Sequence, residues 1–156
     1  MKKKIIIGSR GSKLALIYAE RARIELLKNQ EVECVEIKSI TTTGDTIKDI
    51  RVSEYGGKGA FCKKIEQELL NNNIDIAVHA LKDMPTDETE GLVTNSFLER
   101  NDPREILISN SKKNLKELKL NAVVGTSSYR REFQLKNIRE DLECKLIRGN
   151  VDTRIK

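Results

Sequence analysis

An α/β fold with parallel strands is predicted by two features of this sequence. Short β-branched runs alternate with amphipathic stretches, and four polar, cation-bearing clusters stand where such runs give way to helices. Strand, helix, strand, helix, strand in succession places parallel neighbours in one sheet. The 156 residues suffice for one ordinary domain or two small lobes, and 38% hydrophobic against 34% charged residues is the balance of a soluble globular protein.

The opening "MKKKIIIGSRG" contains an apolar run of only Ile5, Ile6 and Ile7, far short of the roughly 7–15 residues of a signal-peptide core, so it reads as the first strand. "GSRGS" turns the chain, and Ser12 can cap a helix whose buried stripe is Ala15, Tyr18, Ala22 and Leu26. "CVEIKSI" alternates as a second strand. The polar, glycine-bearing "TTTGDTIKDIRVSEYGGKG" has weak periodicity and predicts a long loop or lid over 42–58. Ala60, Phe61, Ile65 and Leu69 then recur at helical spacing, "NNN" at 71–73 ends that helix, and "IDIAVHAL" follows as a buried strand.

Pro103 and the dense charges of "ERNDPRE" interrupt the pattern between "LVTNSFLE" and "ILIS". They place a hinge at 100–104, with a first lobe over 1–99 and a second over 105–156. In the second lobe "NLKELK" predicts a short helix, "AVVGT" a strand, "SSYRREFQLKNI" a helix carrying Phe133 and Ile138, "CKLI" a strand and "NVDTRIK" the start of a helix.

Composition narrows the function. No stretch approaches the roughly 20 apolar residues of a membrane span, so a cytoplasmic protein without membrane contact is expected. Three cysteines, Cys34, Cys62 and Cys144, lack CxxC spacing and read as small buried thiols, and the single histidine, His79, excludes a multi-histidine metal site. The formal charge of +5 favours acidic partners. Nucleic acid fits poorly, because aromatics are only 4% and the arginines occupy separated corners instead of one helix face.

In open α/β sheets ligands collect at the carboxyl ends of the strands, where helix N-termini present unpaired N–H groups. Four clusters stand at such corners: "GSRGS", "HALKDMPT", "GTSSYRR" and "RGNVDTR". They contribute Arg10 and Ser12, Lys82, Thr126, Ser127 and Ser128 with Arg130 and Arg131, and then Arg148 and Arg154. Arginine suits anion binding because its planar fork meets a carboxylate or phosphate with two parallel bonds. Each item alone has an ordinary explanation: paired arginines as a solvated face, hydroxyls as helix caps. Their agreement at four corners points to a cleft rich in anion donors.

Asp83 is an acid among these cations, before Met84 and Pro85. It either caps a turn or acts as an acceptor that stabilises positive charge developing on a substrate. His79 reads as a structural residue at the end of its strand.

The stretches "GSRGSKLAL", "TTTGDTI", "GGKGAF", "KKIEQELL", "DIAVHALKDMPT", "ERNDPRE", "VGTSSYRR" and "RGNVDTR", in this order over the whole chain, resemble the hydroxymethylbilane synthase family, also called porphobilinogen deaminases. The resemblance implies a transferase of haem biosynthesis that condenses four porphobilinogen molecules, with release of ammonia, into hydroxymethylbilane on a covalently held dipyrromethane cofactor. It implies a two-lobed fold similar to type II periplasmic binding proteins, with mixed sheets, and a monomer whose partners are porphobilinogen and polypyrrole intermediates. By the family's pattern Arg10, Ser12, Lys82, Asp83, Thr126, Ser128, Arg130, Arg131, Arg148 and Arg154 match cofactor- or substrate-binding positions, and Asp83 matches the catalytic acid. Where many members carry a lysine two residues before "GGKG" this chain has Glu54, while Lys58 remains as a loop cation.

Family members run to roughly twice this length, as a two-lobed fold with a third domain requires. The expectation is therefore an N-terminal half: a first lobe without its return strand, an incomplete second lobe and no third domain. None of the three cysteines stands in a context like the cofactor anchor, so these residues alone are expected neither to hold dipyrromethane covalently nor to turn over. The other expectation is a small polycarboxylate-binding module of the same fold without catalysis.

Overall fold

The computed structural model describes residues 3–46, 59, 61–110 and 112–156. The chain forms two compact units, Met1–Leu98 and Glu99–Lys156. Of the polar stretch at 42–58, Thr43–Thr46 makes one helical turn, α2, whereas Glu54 and Lys58 lie outside the described residues, as does Ala60.

The first unit is built on β1 (Lys3–Arg10), which pairs in parallel with β2 (Val32–Ile40) and β3 (Ile76–Ala77), giving the order β2-β1-β3. Alternation of side chains along β1 sends successive isoleucines to opposite faces. Ile5 and Ile7 pack with Ala19, Ala22 and Leu26 of α1 (Lys13–Leu26), and Ile6 packs with Ile65 and Leu69 of α3 (Lys63–Leu70). A helix therefore covers each face, which is why the β1 run reads as continuously apolar. Of the predicted α1 stripe Ala22 and Leu26 pack on this core and all four members are half-buried, whereas the fully buried residue of the helix is Ala19, which the stripe left out. Asn72, at φ 57°, ends α3 in the left-handed region that asparagine tolerates.

Two strand predictions are corrected. "IDIAVHAL" predicts a strand of eight residues, yet only Ile76 and Ala77 join a ladder, framed by bonds from the Asp75 and Val78 N–H groups to the carbonyls of Ile6 and Gly8. Among the described residues β3 has one neighbour, β1, and the chain forms a 3-10 turn at Leu81–Asp83. All strand pairings among the described residues are parallel, where mixed sheets were expected. Residues 92–109, the apolar stretches around "ERNDPRE", form neither helix nor ladder and leave Val93, Phe97, Ile106 and Ile108 exposed.

The second unit pairs β4 (Val123–Gly125) with β5 (Glu143–Lys145) in parallel, joined by α4 (Tyr129–Ile138), and ends in α5 (Val151–Ile155). Its buried residues are few, chiefly Ala122, Thr126 and Leu142, and Phe133 and Ile138 of α4 are 66% and 61% exposed. The "NLKELK" helix is a single 3-10 turn, Leu115–Glu117, held by a capping box between Asn114 and Glu117. Six residues cannot offset the cost of helix nucleation, so the local cap decides the geometry.

Candidate functional site

Parallel strands end on the same side of their sheet, and two predicted site residues meet there. Arg10 closes β1, Asp83 closes the 3-10 turn after β3, and Arg10 Nη1 stands 3.9 Å from Asp83 Oδ2, with side chains 19% and 28% exposed. The guanidinium carbon of Arg10 also lies 4.0 Å from the ring centroid of Phe61, a cation–π contact. Helical spacing assigned Phe61 to the core; only the fold shows that its ring serves the arginine. Gly44 borders the same ring, since a Cβ there would lie 2.3 Å from Phe61 Cε1.

Beneath Asp83 lies Cys62, fully buried. Its thiol donates to the Asp83 carbonyl oxygen at 3.2 Å and stands 3.6 Å from Met84 Sδ and 3.8 Å from His79 Nδ1. Burial, reinforced by the Glu66 and Asp83 carboxylates, pushes the thiol up to about 12, so it stays protonated. Burial likewise holds the His79 imidazole below its ordinary value, and its Nε2 is buried without a hydrogen-bond partner. Cys34 and Cys144, expected to be buried, are only partly so.

Ser12 is the N-cap of α1, its Oγ accepting the Ala15 N–H at 3.3 Å. Lys82, next to Asp83, is exposed.

In the second unit the corner after β4 is fastened by its hydroxyls. Thr126, 5% exposed, accepts the Ser128 N–H through Oγ1 at 3.2 Å, and Ser128 caps α4 by accepting from the Arg131 N–H. This turn orients Arg130 and Arg131, whose terminal nitrogens share the Glu105 carboxylate: Oε1 meets Arg130, and Oε2 lies 2.7 Å from Arg131. Glu105 is held below the usual carboxylate range, first by the Arg130 hydrogen bond and then by Arg131. Glu105 lies outside the four polar corners of the sequence, at the start of the expected second lobe.

Arg154 is held below its ordinary value by burial and then by the charges of Arg148 and Arg131, so three predicted arginines from two corners share one neighbourhood. Arg154 Nε donates to the Gly149 carbonyl at 2.7 Å, and Arg131 Nε is buried with no hydrogen-bond partner. A buried guanidinium edge among like charges suits an anion bearing several oxygens. Among the described residues no cluster of three or more His, Cys, Asp or Glu side chains could hold a metal ion, and no helix is long and apolar enough to cross a membrane.

The family model described as "Porphobilinogen deaminase, dipyromethane cofactor binding domain" matches residues 5–156. Porphobilinogen deaminase of Chlorobaculum parvum is 50% identical over 156 residues, the whole of this chain and 50% of that protein. The Bacillus subtilis protein of the same name is 50% identical over 155 residues, 99% of this chain and 49% of its own length, and that of Chloroherpeton thalassium is 48% identical over 156 residues. The chain thus spans about half the length of the curated relatives it matches.

Proposed function

This chain belongs to the porphobilinogen deaminase family, and from that premise we propose that it supplies the pyrrole-binding and proton-handling part of the transferase that condenses four porphobilinogen molecules, with release of ammonia, into hydroxymethylbilane. The observation that carries the reading is the Arg10–Asp83 pair at the carboxyl ends of the strands. When ammonia departs from porphobilinogen, positive charge spreads onto the pyrrole ring and its N–H. The Asp83 carboxylate accepts that N–H and stabilises the charge, and Arg10 holds the carboxylate in place. Dipyrromethane, when bound, supplies the primer whose end is extended.

The donor set fits such a primer. Pyrroles of this chemistry carry acetate and propionate arms, and Arg131, with its buried Nε edge, shares its surroundings with Arg148 and Arg154. These three, with Arg130 and the Thr126–Ser128 turn, hold carboxylate arms; Arg10, Ser12 and Lys82 do the same in the first unit. Residues 1–156 by themselves bind without turning over, and turnover draws on the remaining half of the family's length. A monomer acting in the cytoplasm completes the reading.

The test is calorimetric titration of this chain with a synthetic dipyrromethane bearing acetate and propionate arms, then assay of hydroxymethylbilane formation after addition of the C-terminal half of the Bacillus subtilis relative. Arg131→Glu should weaken binding by about 1.5–3 kcal/mol, the range of a charge-assisted hydrogen bond. Asp83→Asn should bind and yet lose turnover. Undiminished turnover in Asp83→Asn would remove Asp83 from the chemistry, and binding without any turnover in the unsubstituted chain would leave only a polycarboxylate-binding module.

A further inference from the structure

Two adjacent residues that the chemistry above does not use, Phe61 and Cys62, touch both members of the Arg10–Asp83 pair. We propose that they form a two-pronged positioning element, Phe61 setting the Arg10 guanidinium and Cys62 setting the backbone turn that carries Asp83. The inference rests on the functional reading only for what the pair does, and its geometry stands apart from it.

The first prong is a ring with restricted freedom. The Phe61 ring centroid lies 4.0 Å from the Arg10 guanidinium carbon. Gly44 leaves room for the ring that any Cβ would fill, its ideal position lying 2.3 Å from Cε1 and 2.5 Å from Cδ1. A larger residue at position 44 would displace the ring on which Arg10 stacks, so the α2 turn bears on the setting of the guanidinium. A flat π-face attracts the cation and still lets it slide parallel to the ring, which orients Arg10 without occupying its donors.

The second prong is the thiol. Asp83 ends a 3-10 turn only three residues long, and its own N–H bonds back to the Ala80 carbonyl at 2.8 Å. Cys62 adds a hydrogen bond at 3.2 Å to the carbonyl of Asp83 itself. The thiol also abuts Met84 Sδ at 3.6 Å, so it meets the Asp83 carbonyl and the side chain of the residue that follows. The Cys62 N–H bonds to the Gly59 carbonyl, and its carbonyl accepts from the Ile65 and Glu66 N–H groups, which tie the prong to the start of α3. Ile65 is fully buried under the sheet, so the element is anchored in the core and reaches the site from below.

Cysteine is suited to this place because a thiol is small, tolerates burial and offers a weak donor. A hydroxyl would preserve the donor, whereas an isosteric valine would leave the Asp83 carbonyl without it.

The unmodified 156-residue chain provides the primary test. In its NMR spectrum the side-chain Hδ and Hε resonances of Arg10 should lie upfield of every other arginine, as a ring facing the guanidinium requires. The Cys62 S–H infrared band, assigned by its disappearance in Cys62→Ser, should lie below the free-thiol position. Arg10 resonances at ordinary positions would overturn the first prong, and a free-thiol band the second.

Variants then separate positioning from mere packing. Phe61→Leu should abolish the Arg10 shift and weaken dipyrromethane binding by roughly five-fold, the size of a modest cation–π contact, with both restored in Phe61→Tyr. Cys62→Val should move the Asp83 carbonyl 13C resonance while Cys62→Ser restores it. An Asp83 resonance unmoved in a folded Cys62→Val chain would refute the clamp. Absence of dipyrromethane binding in the unmodified chain, with all shifts as stated, would instead remove the functional reading and leave the positioning element standing.

Discussion

The Glu105 carboxylate grips Arg131, Oε2 to Nη2 at 2.7 Å, while its other oxygen holds Arg130. One internal acid therefore stands in the forks of two arginines assigned above to ligand carboxylates. Both arginines are well exposed, so water screens the pairs and their worth to stability is small, about 0–1 kcal/mol. Glu105→Gln should leave the urea midpoint almost unchanged and strengthen dipyrromethane binding, because a competing negative charge is gone. Weaker binding in calorimetry would show that Glu105 organises the arginines and does not compete.

His79 predicts a pH response of the first unit. Burial disfavours its charged form more strongly than Glu66 and Asp83 favour it, and Arg10 adds to the burial effect, so the folded value lies below 6.5. The unfolded chain then binds the proton more readily, and stability must fall as pH drops from about 6.5 through the lower folded value. Urea unfolding between pH 7.5 and 5 should show this loss, and His79→Asn should flatten it; identical slopes for both chains would refute the assignment.

Cys62 acts at the opposite end of the scale. Its folded value is raised from 9.0 to about 12, so the folded state keeps a proton that the unfolded state releases, and stability is lost as pH rises through that interval. At pH 8 its alkylation should be much slower than that of the partly exposed Cys34 and Cys144, as mass spectrometry after iodoacetamide labelling would register. Equal rates at the three thiols would contradict the burial described.

Gly8 is a packing prediction. It lies in β1, where an added Cβ would stand 2.3 Å from Ile74 Cδ1 and 3.2 Å from Ile40 Cδ1, both on buried side chains. Gly8→Ala should cost about 1–3 kcal/mol through overpacking, measurable by urea denaturation. A neutral effect would mean that these isoleucines yield without strain.

Arg139 does comparable work in the second unit. It pairs with Asp141 at 2.6 Å and donates to the carbonyls of Leu115, Leu118 and Lys119, fastening the 3-10 turn to the end of α4. Arg139→Ala should lower the unfolding midpoint more than Arg104→Ala, because Arg104 pairs with Asp102, two residues away on an exposed stretch. The reverse order in thermal unfolding would discount the carbonyl contacts.

The local pattern alone determined much of this protein. The strand at Ile5–Ile7, the α1 helix with Ala22 and Leu26 on the core, the Ser12 cap and the NNN terminator are short-range signals, and each stands where the local pattern put it. The arginine corners were legible for the same reason, since a β-branched run followed by glycine and hydroxyls specifies a strand-to-helix turn. What a residue touches across the sheet is not written in its neighbours. β3 shrank to Ile76–Ala77 because ladder length depends on a partner strand. Phe61 and Cys62 looked like core because helical spacing cannot distinguish packing on an isoleucine from packing on Arg10 or the Asp83 carbonyl. Glu105 escaped notice because its arginines lie 25 and 26 residues further along the chain. Spacing along a chain carries only periodic, local geometry; charge pairing and side-chain stacking between distant segments are settled when folding brings those segments into contact.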